Sequence, residues 1–290
     1  MKKKILISGA HGMLGSSIVK FFQYSQEYEL FSVSKKIYPD SKYIKNLLPD
    51  DFCLQTIKFY AFFHCAAEVN VNLCEDEKKY AYESNVDFTV KLFSKILSDN
   101  YFYISTDSVY DGLIGNYKEI DPTNPVNFYA TTKLIGESEV KKLYSNYYII
   151  RTNIFGISSN NKNSLFEWAY KNLRNKNNIT GFTNVYFNPL YVSHLTEILI
   201  NILQTNIDYG IYNVGSSSYI SKFDFLKLIS QKFNFNDKLI SPLLFNNNDD
   251  DSAKRPLNTT LNCTKLLKSI NNIELSINKS FTMLISDLNK

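Results

Sequence analysis

Apolar positions fall into short blocks along the first half of the chain, and the blocks alternate between two periods. Residues 4–8, Lys-Ile-Leu-Ile-Ser, are an apolar run that stops at a glycine, the pattern of a strand buried on both faces. A glycine-punctuated turn follows, then an amphipathic helix to about residue 24. Further strands are predicted over 29–34, 59–65, 101–105 and 147–151. Helical spacing is predicted over 75–97, with charges on one side, and over 128–144. A loop with Gly112, Gly115, Pro122 and Pro125 precedes the second of these helices. Strands alternating with helices imply βαβ units, and hence a parallel sheet covered by helices on both faces.

Beyond residue 155 the alternation loosens. Helices are predicted over 192–203, 222–233 and 278–288, forming a lid on the sheet. Asn-rich stretches at 160–163, 175–178 and 246–251 read as exposed loops. No internal repeat is visible. The division expected is one unit over 1–155 and a second region over 156–290, some of whose segments return to the sheet.

The turn after the first strand is Gly9-Ala10-His11-Gly12-Met13-Leu14-Gly15, a G-x-x-G-x-x-G that opens a helix. Glycines let the backbone approach a pyrophosphate, and the helix N-terminus offers free N–H groups and a positive dipole end. The turn therefore predicts dinucleotide binding in an α/β, doubly wound (Rossmann-type) parallel sheet. The end of the second strand selects between dinucleotides: an acid there suits a ribose 2′-hydroxyl, basic and hydroxyl groups a 2′-phosphate. Ser34-Lys35-Lys36 contains no acid, which favours NADP(H), with NAD(H) as the alternative.

Tyr129-Ala130-Thr131-Thr132-Lys133 is a Y-x-x-x-K on a predicted helix, so phenol and ammonium share a face. A nearby cation stabilises a phenolate, so the tyrosine is expected to titrate below its usual ~10. The pattern alone recurs by chance in many helices. Here it follows the glycine turn and a strand that ends in Ser105-Thr106-Asp107, whose hydroxyls face the ligand crevice of a doubly wound sheet.

Composition narrows the partners. Hydrophobic residues make up 44% and charged residues 21%, which are globular proportions. The net charge of +4, from 32 basic and 28 acidic residues, is too small and dispersed to suggest nucleic acid, but it suits a small anionic ligand. No apolar run approaches the roughly 18 residues of a membrane helix, and the apolar stretch behind Met1-Lys2-Lys3-Lys4 is too short for an export signal. Cys53, Cys65, Cys74 and Cys263 show no paired spacing and there are three histidines. No metal site and no disulfide framework are expected, and a reducing cytoplasm fits.

Together these residues resemble the extended short-chain dehydrogenase/reductase superfamily, and within it the dTDP-4-dehydrorhamnose reductase family of sugar-nucleotide reductases. The match runs nearly end to end. It includes the glycine turn, Cys65-Ala66-Ala67, Asn70-Val71-Asn72-Leu73-Cys74-Glu75, and Ser105-Thr106-Asp107-Ser108-Val109-Tyr110-Asp111-Gly112. Tyr117, Glu119, Asp121, Pro125, Tyr129, Lys133, Gly136 and Glu137 follow at family spacing, then Arg151-Thr152-Asn153-Ile154-Phe155-Gly156. The distinctive late segment is Arg255-Pro256-Leu257-Asn258-Thr259-Thr260-Leu261, with Lys265.

The resemblance implies roles. Tyr129 would give a proton to the substrate carbonyl, Lys133 would hold the nicotinamide ribose, and Thr106 would hydrogen-bond the substrate oxygen. Ser105 would line the nicotinamide pocket, and Ala66 and Ala67 would pass beneath the cofactor. Gly9, His11, Gly12, Met13, Leu14 and Gly15 would cradle it, and Ser34, Lys35 and Lys36 would meet its 2′-phosphate. Arg255 is a candidate for the substrate diphosphate, and region 156–290 would mainly bind substrate. Ser108 and Ile154 depart from the family's usual tyrosine and tryptophan near the sugar, which suggests the same reaction on a different sugar or nucleotide. Asn153 is open between a substrate contact and a satisfied polar residue at a strand end.

The function implied is NADPH-dependent reduction of a nucleotide-diphosphate-linked 4-keto-6-deoxy sugar, for deoxysugar or surface-polysaccharide biosynthesis. An epimerase or dehydratase of the same superfamily, or a non-catalytic cofactor-binding subunit, are the alternatives. The partner expected is a small-molecule nucleotide sugar, with neither nucleic acid nor membrane; a homodimer stays open.

Overall fold

The computed structural model describes residues 2–36, 41–158, 164–246 and 253–289. Seven strands form one sheet: β1 (Lys3–Ser8), β2 (Tyr28–Val33), β3 (Ile44–Leu47), β4 (Ala61–His64), β5 (Tyr101–Ile104), β6 (Tyr147–Thr152) and β7 (Gly210–Val214). Their spatial order is β3-β2-β1-β4-β5-β6-β7, and every neighbouring pair is parallel. The order reverses between β1 and β4, and a doubly wound sheet opens its ligand crevice at such a switch.

Strand alternation divides the core. Ile5 and Ile7 of β1 pack with Leu14, Ile18 and Leu199 on one face, whereas Leu6 packs with Phe62, Leu92, Phe93 and Val140 on the other. The apolar run of β1 has no polar position because helices cover both of its faces.

Most expected elements form, with differences that have local causes. The stretch expected as one strand over 59–65 is split: Lys58–Phe59 pairs with Leu97–Ser98, and only Ala61–His64 joins the main sheet. The helical run expected over 75–97 begins at Val71, where the Asn70 side chain caps Leu73 N–H at 3.2 Å, and ends at Phe93. A π-helical turn, Glu83–Asp87, interrupts it. That turn buries Asn85, whose amide clamps the backbone of Glu68 at 2.7 and 3.0 Å and donates to Thr132 at 3.0 Å.

The helix Val192–Thr205 was expected in a lid; it packs instead against the first helix, Met13–Phe22, with Thr196 bonded to Ser17 at 2.8 Å. The reason is its broad apolar face: Val192, Leu195, Ile198, Leu199, Ile200, Ile202 and Leu203 are all buried. It leads into β7, which returns the later region to the sheet. A helix not expected from the sequence, Leu165–Arg174, starts at a reciprocal capping box between Ser164 and Glu167. Of the Asn-rich stretches, 175–178 is exposed, while 160–163 and 247–251 lie outside the described residues.

Candidate active site

The glycine turn lies between β1 and the first helix. Gly9 adopts φ +68°, and a side chain at Gly15 would lie 2.1 Å from the Gly9 carbonyl oxygen, so close packing of helix on strand requires glycine there. The helix N-cap is Gly12, with no side-chain cap, whereas Asn127, Ser164, Ser221 and Ser276 cap their helices with their own oxygens. Its first N–H groups are therefore left to an external anion, and the turn fits a pyrophosphate. Leu14 is buried and Met13 half-buried, so both offer backbone rather than side chain. His11 is half-buried, and burial lowers its pKa. Ala66 lies against Gly9, and its N–H donates to Ser8 Oγ at 3.3 Å. Ser8 in turn pairs with His64 Nδ1 at 2.8 Å, and His64 Nε2 with Thr89 Oγ1 at 2.8 Å. This buried relay fixes the segment carrying Ala66 and Ala67 beside the crevice.

At the end of β2, Lys35 and Lys36 are exposed, with the Lys35 ammonium 4.8 Å from the Phe88 ring centre. The Ser34 hydroxyl donates to the Lys36 carbonyl at 2.8 Å and accepts its N–H at 3.0 Å, which holds this short turn in shape.

The structure brings Thr106, Tyr129 and Lys133 together at the C-terminal edge of the sheet. The helix Phe128–Leu143 carries the last two, and its start is fixed twice: Asn127 accepts from Ala130 N–H at 2.9 Å, and Glu75 from Phe128 N–H at 2.9 Å. Gly136 lets the helix sit on β5, since a side chain there would lie 2.1 Å from the Tyr103 hydroxyl. Tyr103 donates to the Lys133 carbonyl at 3.2 Å, and its ring receives the Lys133 ammonium at 4.1 Å from the centroid. The Thr106 hydroxyl lies beside the Tyr129 phenol and eases its ionisation.

One expectation is reversed. Tyr129 was expected to titrate below its usual range; burial pushes it well above, assisted by Asp107 and Cys74 and opposed by Thr106. Desolvation outweighs the cation one helical turn away, because the Lys133 ammonium is drawn to the Tyr103 ring. Lys133 itself is pushed down to about 8 by burial, with Glu137 partly offsetting it. The phenol is thus held as a neutral acid.

Beneath the site lies a buried ion pair. Arg151 Nε and Nη2 donate to the two Glu137 oxygens at 3.0 and 2.7 Å, and both residues are inaccessible to solvent within 3%. The Ser105 hydroxyl, expected to line the nicotinamide pocket, donates to Glu137 at 2.5 Å. Tyr110 accepts from Arg151 Nη1 at 2.8 Å.

Asp107 is the second hub. One of its oxygens accepts from Thr259 at 2.5 Å and Asn153 at 2.9 Å, the other from Thr106 at 3.2 Å and Ser108 at 3.3 Å. Asn153, at a strand end, is half-buried and spends its amide N–H on Asp107. Arg255 is exposed and donates to Asn72 at 3.1 Å. Sequence reasoning missed Lys222, a half-buried lysine whose ammonium lies 3.3 Å from the Phe187 ring centre. It also missed Asn85 and His64, and none of these three stands in a local motif; Thr259 was visible in the late segment, but without a role.

A family model described as the RmlD substrate binding domain matches residues 2–288. The chain belongs to that family. Among RmlD-type relatives, a dTDP-4-dehydrorhamnose reductase of Aggregatibacter actinomycetemcomitans is 27% identical over 278 residues, covering 91% of this chain and 92% of the relative. Methionine adenosyltransferase 2 subunit beta of Xenopus tropicalis is 26% identical over 283 residues, covering 92% and 82%. The crystal structure of a Bacillus anthracis dTDP-4-dehydrorhamnose reductase in complex with NADP superposes with a TM-score of 0.84, at 24% identity and 99% coverage of both chains. The family and the doubly wound fold agree with the resemblance carried by the sequence. Among the described residues, no helix is long and apolar enough to cross a membrane, and no cluster of His, Cys, Asp and Glu is arranged to hold a metal ion.

Proposed function

We propose that the chain is an NADPH-dependent reductase of a nucleotide-diphosphate-linked 4-keto-6-deoxy sugar, acting in deoxysugar or surface-polysaccharide biosynthesis. The observation that carries this reading is the neutral Tyr129 phenol beside Thr106, with Lys133 on the same helix and an uncapped glycine turn after β1. The resemblance to dTDP-4-dehydrorhamnose reductases supports it.

In this mechanism, residues 1–155 hold the cofactor and the region from 156 onward supplies most of the substrate-side groups. NADPH, when bound, supplies the hydride for the keto carbon. The Thr106 hydroxyl turns its single proton from Asp107 to the keto oxygen, and Tyr129 transfers its proton to that oxygen as it becomes an alkoxide. A phenol kept neutral by burial is in the right protonation state for this step. Lys133 binds the nicotinamide ribose and stabilises the phenolate left behind.

Asp107 argues against water elimination. Dehydratases of this superfamily typically carry a second acid directly after the aspartate, and here that position is Ser108. Asp107 itself is occupied by four donors. A second reading, a cofactor-binding subunit without turnover, is favoured by the similarity to methionine adenosyltransferase 2 subunit beta. Retention of Thr106, Tyr129 and Lys133 speaks for catalysis.

A panel of dTDP-, UDP-, CDP- and GDP-linked 4-keto sugars with NADPH, followed at the nicotinamide absorbance band, tests the proposal. Oxidation with one of them is expected; NADPH binding without turnover on any would support the subunit reading instead.

Two further results are expected. NADPH should bind more tightly than NADH by about 1–3 kcal/mol, because Lys35 and Lys36 offer charge to a 2′-phosphate and no acid opposes it. Titration with both cofactors decides, and equal or tighter NADH binding would contradict it. Affinity for NADPH should also weaken as pH rises above about 8, because Lys133 loses its proton there in the free protein. Fluorescence titrations between pH 7 and pH 10 measure this, as roughly up to a tenfold loss per pH unit for a single deprotonation. A flat profile would show that the ammonium does not contribute.

A further inference from the structure

Lys222 is a lysine that the mechanism above does not use. It opens the helix Lys222–Lys232, directly after the capping residue Ser221, and its N–H donates to the Val185 carbonyl at 2.9 Å. Just before it, Ile220–Ser221 pairs antiparallel with Tyr186–Phe187. The other edge of Tyr186 takes residues 257–259, through Tyr186 N–H to Leu257 O at 2.7 Å and Thr259 N–H to Tyr186 O at 3.1 Å. This three-stranded ribbon brings Lys222 in from one edge and Arg255 from the other. Thr259, on the Arg255 segment, donates to Asp107 at 2.5 Å, so the ribbon docks on the neighbour of Thr106.

The electrostatics follow from that placement. Asp107 favours the Lys222 charge, whereas Arg255 opposes it, and burial pulls its pKa down to about 8. Asp107, the carboxylate whose charge acts on Lys222, is engaged by four hydroxyl and amide donors. A lysine and an arginine thus stand on the two edges of one ribbon, beside the reacting hydroxyls. An anion with two charges would relieve both the desolvation and the mutual repulsion.

We propose that Lys222 is a specificity-determining residue: with Arg255 it grips the diphosphate of the nucleotide sugar, Lys222 on the sugar-side phosphate and Arg255 on the nucleoside-side one. The order follows from placement, since the charge of Asp107, next to Thr106, acts on Lys222, while Arg255 donates to Asn72. This inference rests on the sugar-nucleotide reading above.

The test is calorimetric titration of the NADPH-loaded protein with dTDP, UDP, GDP and CDP, and with the matching monophosphates. The unaltered protein should bind at least one diphosphate. Lys222→Met, which keeps the stem over Phe187, should weaken that diphosphate by about tenfold or more, the usual worth of a charge-assisted hydrogen bond. It should leave the matching monophosphate and NADPH within about twofold. Lys222→Arg should retain most of the diphosphate affinity, which ties the effect to charge. Unchanged diphosphate binding in Lys222→Met, or an equal loss of monophosphate, would overturn the role of Lys222 alone. An unaltered protein that binds none of the four diphosphates would overturn the sugar-nucleotide reading and this inference with it.

Discussion

Tyr129→Phe is expected to lower kcat by roughly 10²-fold or more while leaving NADPH affinity nearly unchanged, the usual size of the loss when a general acid is removed. The phenyl ring keeps the packing of the helix Phe128–Leu143, whose start is held by Asn127 and Glu75 rather than by the phenol. Only the hydroxyl and its proton are lost. Because the proton moves in the transition state, kcat and kcat/KM should fall together. Steady-state kinetics beside a cofactor titration checks this, and a near-normal kcat would mean that the proton comes from another group. Lys133→Ala should differ in kind, harming cofactor binding and turnover alike.

Arg151→Met is expected to destabilise the fold by about 3–5 kcal/mol, the cost of leaving one member of a buried ion pair without its partner. Glu137 would keep only the Ser105 hydroxyl of its present donors, in a place where neither side chain reaches water. Tyr110 would also lose the donor that fixes its hydroxyl against β6. The double variant Arg151→Met with Glu137→Leu should recover most of that loss, because removing both charges also removes their desolvation cost. Denaturant unfolding of the three proteins measures it. A single variant destabilised by less than about 1 kcal/mol would show that water or a rearranged partner reaches Glu137.

The two expectations draw on different layers of the sequence. The glycine turn, the Tyr129–Lys133 spacing and Ser105-Thr106-Asp107 were legible because each is local: a few adjacent residues carry the chemistry and the element that presents it. The seven-stranded order was legible as a class, from strands alternating with helices, but β3 and β7 were not seen. Ile44-Lys45-Asn46-Leu47 has too few apolar positions to stand out, and β7 is short and follows the irregular region. The helix Val192–Thr205 was visible as a helix; its docking on Met13–Phe22 depends on a broad apolar face, with only Ser193, Glu197, Asn201, Gln204 and Thr205 left toward solvent.

The site divides in the same way. That Tyr129 titrates above its usual range follows from burial, a tertiary quantity that no spacing reveals. Asp107 reads as a free acid in a motif until Thr259, far along the chain, is found bonded to it. Lys222 stands alone in Ser221-Lys222-Phe223 and gains a neighbour in Arg255 only through the ribbon on Tyr186. Arg151 and Glu137 were both visible at family spacing, yet their ion pair needs β6 and the helix Phe128–Leu143 to be packed.

The central claim is that a hydride passes from the cofactor to the keto carbon of a nucleotide sugar while Tyr129 supplies the proton. Turnover with NADPH deuterated on both faces of nicotinamide C4, followed by mass and NMR analysis of the sugar, tests it most directly. One deuterium is expected on the former keto carbon, none elsewhere, with one equivalent of oxidised cofactor per product. A sugar that loses water or changes configuration without gaining deuterium, with no net oxidation of the cofactor, would contradict it.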